Sequence, residues 1–176
     1  MENFAHISQV ITEQENLLRF DHFSGTDAWD LGSFLVSRAK AQGIGLAMSI
    51  RKLNGHILFQ YCGEGTSINN QCWMQRKFNT FSRMECSSLL AWSNLNLRGQ
   101  TLEFQGLTSE NYAFMGGAFP IRLKGGELIG CVIVSALPHT KDHQFVVAAL
   151  SDWRNVKDVP SAESTTDSIM KEDTDQ

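Results

Sequence analysis

Between residues 7 and 20, Ile7, Val10, Ile11, Leu17 and Leu18 recur at helical spacing beside polar Gln9, Thr12, Glu13 and Glu15, which predicts an amphipathic helix. A second helix is predicted over 27–42, where Ala28, Leu31, Leu35 and Ala39 make the stripe. Ser24 or Thr26 is placed to cap its start, and Gly43 to end it at positive φ. The period then changes to two. Leu46, Met48 and Ile50 alternate with Ala47, Ser49 and Arg51, the signature of a half-buried strand. Asn54-Gly55 predicts a tight primed turn into a returning strand over 56–62. Met74, Phe78, Phe81 and Met84 restore helical spacing over 66–84, and Ser87 or Ser88 starts a short helix through Leu89, Trp92 and Leu95.

After Gly116-Gly117 a strand is predicted over 118–123, with Pro120 confining it to an edge. Lys124-Gly125-Gly126 turns the chain into the nearly continuous apolar run 128–137, which belongs near a sheet centre. Pro138 then opens a last helix over 139–153, with Val146, Ala149, Leu150 and Trp153 on its stripe. The order α, α, β, β, α, α, β, β, α implies an α+β domain over 1–156, an antiparallel sheet with helices packed on it.

Composition changes this picture at the C-terminus. Residues 157–176 carry six acids and two bases, so their net charge of −4 equals that of the whole chain. With Ile169-Met170 as the one apolar pair beyond Val159, the stretch reads as a disordered acidic tail. The rest of the chain is charge-balanced, without the basic footprint of a nucleic-acid binder. No apolar run reaches the length of a membrane span. The N-terminus lacks a secretory leader pattern, so the sequence predicts a cytoplasmic protein with reduced cysteines at 62, 72, 86 and 131 and no CxxC pair.

Several segments together resemble the haem-degrading-domain-like proteins, in their uncharacterised fungal and bacterial branch: Asp27-Ala28-Trp29-Asp30-Leu31-Gly32, Asn54-Gly55-His56-x-Leu58-Phe59, Trp73-Met74-Gln75-Arg76-Lys77, Tyr112-Ala113-Phe114-x-Gly116-Gly117-x-Phe119-Pro120-Ile121 and Asp142-His143. The resemblance spans about 15–153. It implies a profilin-like or PAS-like fold, a homo-oligomer built from dimers, and haem as the cofactor to consider. The chain departs from that branch at Cys86-Ser87-Ser88-Leu89, where a histidine is usual before the serine pair.

Candidate chemistry is sparse. Arg76 and Lys77 are adjacent cations able to address a small anion, Arg76 as a bidentate fork and Lys77 as a point charge, against the alternative of ion pairing. His139 and His143 stand i and i+4 and would share a metal if both rings faced one way, with His139 expected at the surface. Gly116 and Gly117 mark a close backbone approach to a ligand or to another strand. His56 and Cys86 are further candidates for haem or metal, and Trp29, Trp73 and Trp92 for subunit contacts. Asp27 and Asp30 fit the first turn of a helix better than a catalytic pair. The sequence therefore predicts an oligomeric binder of a small anionic ligand or protein partner. Haem binding or degradation, and an adaptor role through the acidic tail, are the alternatives.

Overall fold

The computed structural model describes residues 2–174, with side chains described as far as 170. Its helices are α1 (Glu2–Leu17), α2 (Gly25–Ala41), α3 (Ile68–Met84), α4 (Ser88–Leu97), α5 (His139–Arg154) and α6 (Glu163–Thr174). The strands are β1 (Ala47–Lys52), β2 (Ile57–Cys62), β3 (Ala118–Arg122) and β4 (Leu128–Ser135). They form one antiparallel sheet in the order β2-β1-β4-β3. The apolar run of β4 is central and the proline strand β3 lies at an edge, where Pro120 needs no ladder donor.

Alternation along the strands sorts the core into two faces. Met48, Ile50, Phe119, Ile121, Val132 and Val134 pack with Leu31 and Leu35 of α2 and with Val146 and Leu150 of α5. The opposite residues, Ala47, Ala118, Cys131 and Ile133, pack on Met74, Phe78 and Phe81 of α3. β1 is therefore buried on both faces, where its alternation predicts one wet face. Ser49 and Arg51 are buried because α3 covers them, and their polar atoms are satisfied inside: Arg51 Nε donates to Ser49 Oγ at 3.1 Å and its Nη1 to Gln75 Oε1 at 2.7 Å.

Ser24 is the cap of α2: its hydroxyl accepts from the Asp27 N–H, and the Asp27 carboxylate accepts from the Ser24 N–H at 2.6 Å. Replacing Ser24 by Ala is expected to cost about 1 kcal/mol. In a thermal melt that is a fall of about 2–4 °C; no change would mean that Asp27 alone closes the helix end. The β1–β2 connection departs from the primed turn. Only Gly55 has positive φ, at 87°, so a turn from Lys52 C=O to Gly55 N–H is followed by a single left-handed glycine, and the register slips between Ile50 and Arg51.

The acidic tail is the larger correction. From Glu163 the chain forms α6 instead of an irregular end; Ala162 and Ile169 are buried against α1 and α4, and Thr166 is buried as well. Three positions at helical spacing are enough to seat a helix on a waiting apolar face, which composition averaged over 157–176 conceals. The terminal Asp175 and Gln176 lie outside the described residues. Among those described, no helix is long and apolar enough to cross a membrane.

Candidate functional site

Two cavities of about 340 Å³ each flank α5. The one nearer the sheet lies between the first turns of α3 and α5. From α3 it receives Asn69, Asn70, Trp73 and Lys77, from the end of β4 and its exit Ser135, Ala136 and Leu137, from α5 His139 and Asp142, and from the loop before β3 Met115. Helix geometry explains the α3 set, since 69, 73 and 77 are successive i+4 positions on one face. α5 begins at Pro138 with no side-chain cap, so its N-terminal partial positive charge faces this region, whereas the start of α3 is closed by a capping box of Ser67 and Asn70.

At the cavity floor Lys77 Nζ donates to Asp142 Oδ2 at 2.6 Å and to the Val134 carbonyl at 3.0 Å. Asp142 Oδ1 accepts from the Leu137 and Ala136 N–H groups at 3.1 and 3.3 Å. Both side chains are almost fully enclosed, at 3% and 2% exposure. Burial pulls the Lys77 ammonium down and pushes the Asp142 carboxyl up, while each opposes the shift of the other by pairing. The pair is charged and closed on itself, leaving one Lys77 N–H unassigned. Arg76 points elsewhere: its guanidinium stacks over Trp73 at 4.2 Å, with Nε buried and unpartnered. The adjacent cations thus separate, Lys77 inward to an ion pair and Arg76 onto an aromatic ring.

Gly116 and Gly117 belong to this floor as packing elements. A Cβ on Gly116 would sit 2.3 Å from the His139 carbonyl. One on Gly117, where φ is 127°, would sit 2.6 Å from both Lys77 Nζ and the Val134 carbonyl. Their backbone approaches α5 and the buried pair, and glycine alone permits it. Gly116 N–H also donates to His139 Nδ1 at 3.2 Å, which puts the neutral ring's proton on Nε2.

His139 is half-buried, packed edge-on against Trp92 with centroids 5.1 Å apart, where the sequence predicts surface exposure. Burial, with Lys77 nearby, pushes it down to about 4. His143 faces the second cavity, so the i, i+4 pair does not converge on one ion. Its Nε2 lies 2.9 Å from Gln14 Oε1, and Gln14 Nε2 donates to the Pro160 carbonyl at 2.8 Å. That second bond fixes Gln14 Oε1 as the acceptor, so His143 donates from Nε2 and its Nδ1 lone pair is buried without a partner. Burial, with His139 nearby, pushes it down to about 3.

The remaining candidates lie apart. Cys86 is a thiol donating to the Ser87 carbonyl at 3.5 Å, and burial pushes it up to about 12. His56 is exposed at the first hairpin and borders neither cavity. Trp92 packs inside the chain on Phe4 and His139, whereas Trp29 is 64% exposed and meets Phe59 edge-on. Among the described residues no three His, Cys, Asp or Glu side chains gather to hold a metal. Sequence reading missed Asn69, Asn70, Met115 and the Lys77–Asp142 bond. The available signal was a lone acid in the first turn of a helix opened by proline, and it does not name a partner on another helix.

Residues 23–151 match the family model described as haem degrading protein HbpS-like. A UPF0303 protein of Paraburkholderia phymatum is 42% identical over 149 residues, 84% of this chain and 90% of that protein. The crystal structure of the Ybr137w protein superposes with a TM-score of 0.77 at 28% identity, covering 84% of this chain and 87% of that one. That of a PduOC:heme complex superposes with a TM-score of 0.61 at 19% identity, covering 73% and 93%.

Proposed function

The chain belongs to the HbpS-like family of haem degrading proteins, and from that premise we propose that it binds a carboxylate-bearing ligand of the tetrapyrrole class, held by its acid group between α3 and α5. The observation that carries this reading is the set of groups lining the inner cavity: Lys77 with one unassigned N–H, His139 with its proton on Nε2, and the start of α5, which has no side-chain cap. Trp73, Met115 and Leu137 supply apolar walls beside them, the mixture a planar organic acid requires. The family description and the haem complex of a structural neighbour supply the class of ligand.

Iron does not fit this cavity. An axial histidine must offer a ring lone pair, and His139 Nδ1 is taken by the Gly116 N–H while its Nε2 carries the proton. His143 offers its free lone pair to a buried position on the other side of α5, and Cys86 is held as a thiol. The residues accordingly bind and orient the acid group, and no chemical step is assigned to iron. The homo-oligomer of dimers belongs to the same proposal, with exposed Trp29 as its contact residue.

Titration with haemin and with iron-free protoporphyrin tests the reading. Both are expected to bind within a few-fold of each other. The rim change Asn69→Asp, on an exposed first-turn residue, is expected to weaken both about tenfold by adding negative charge. Binding of haemin alone with a low-spin histidine-ligated spectrum, or of neither compound, would overturn it.

A further inference from the structure

Building on the proposed homo-oligomer, we infer that two copies of this chain pair through the open edge of β2, antiparallel across a two-fold axis, to make one continuous eight-stranded sheet. The two edges of the four-stranded sheet differ. On the β3 side Pro120 carries no donor, and the chain at Phe20 closes the edge: its N–H donates to the Arg122 carbonyl at 2.8 Å, and its carbonyl accepts from the Lys124 N–H at 2.7 Å. β2 has no such cover. It contains no proline and no charged residue, and Ile57, Gln60 and Cys62 are exposed along it.

The register identifies the backbone groups left open. Gly63 N–H donates to the Leu46 carbonyl at 2.9 Å, and Tyr61 and Phe59 stand opposite Met48 and Ile50. The polar groups of 59, 61 and 63 therefore face β1, and alternation turns the N–H and C=O of Gln60 and Cys62 outward, where no strand of the described chain receives them. An antiparallel copy centred on Gln60 matches this edge. The two Gln60 residues exchange N–H···O bonds across the axis. Phe59 of each copy then falls opposite Tyr61 of the other, a stabilising cross-strand aromatic pair. Both rings are half-buried in the single chain and lie on the α2 side of the sheet, Phe59 against Trp29 and Tyr61 beneath Lys40. Charge selects the same direction. Lys52 lies at the hairpin end of the edge and Glu64 at its exit, both exposed, so antiparallel pairing sets the cation of one copy near the anion of the other. Trp29, exposed beside Phe59, borders the contact.

Analytical ultracentrifugation and amide hydrogen exchange on the full chain test this contact. The wild type is expected to sediment as a dimer or a multiple of one, with the Gln60 and Cys62 amides protected at least about 100-fold over a free strand. Gln60→Pro removes the outward donor without touching the β1 ladder, and Gln60→Lys sets two like charges on the axis. Each is expected to weaken the dimer at least about 100-fold and to release the Cys62 amide, with near-UV circular dichroism unchanged. Should the proline variant fail to fold, the lysine variant decides. An assembly that survives Gln60→Lys, or Gln60 and Cys62 amides that exchange freely in the wild-type oligomer, overturns the β2 contact and leaves the homo-oligomer standing. A wild type that stays monomeric at about 100 µM overturns both, even where an added peptide strand then protects the two amides.

Discussion

Replacing Lys77 by Met lowers the stability of the domain by about 3–5 kcal/mol, because it strands the Asp142 carboxylate in a site where 2% of the side chain meets solvent. Asp142 keeps its two backbone donors from Ala136 and Leu137 but loses the one positive charge beside it. The double variant Lys77→Met/Asp142→Asn recovers most of the loss, since the amide oxygen still accepts from those N–H groups and no charge is left buried. The single variant also titrates differently: with Lys77 gone the Asp142 carboxyl rises further, so the deficit shrinks as pH falls toward 4. Urea unfolding of the four proteins in a double-mutant cycle measures the coupling. A loss below about 1 kcal/mol for Lys77→Met would show that the pair is solvated and that the cavity floor is open.

Acidification from pH 7 to pH 5 is expected to remove about 4 kcal/mol through His139 and His143 together. Their folded-state values are held at about 4 and about 3 by burial, against 6.5 for a free histidine. The sign follows from proton counting. Above pH 6.5 both states hold neutral rings, and between 6.5 and about 3 the unfolded chain binds protons that the folded one refuses, so stability falls with pH. Glu15 and Asp142, pushed up by burial, work in the opposite direction at the acid end of that range. The histidine contribution is therefore read as a difference. His143→Gln, which keeps an amide donor for Gln14, is expected to halve the loss between pH 7 and pH 5. An identical pH profile in variant and wild type would mean that His143 is solvated and protonated in the folded state.

These two effects arise from contacts that link distant parts of the chain. Lys77 and Asp142 are 65 positions apart, and Gln14 and His143 are 129 apart. The resemblance singled out Lys77 and the Asp142-His143 pair without saying what each touches, and the cation at 77 reads equally well as an anion site or an ion pair. Arg76 and Lys77 show the limit clearly: consecutive on a helix they lie about 100° apart, so one goes inward and the other onto Trp73.

What the sequence determined by itself is the periodic part of the molecule. Period 3.6 set α1, α2, α3 and α5, period 2 set β1, and the apolar run of β4 with Pro120 beside it fixed which strand is central and which is an edge. Those features depend on neighbours within a few residues, so local pattern contains them. Only the tertiary structure decided that β1 is covered on its second face by α3, that three positions in an acidic tail dock a sixth helix, and that Gly116 and Gly117 serve a buried ion pair. In each case the deciding free energy is burial against a surface supplied from elsewhere in the chain, and a one-dimensional pattern shows the residue offered but not the surface that receives it.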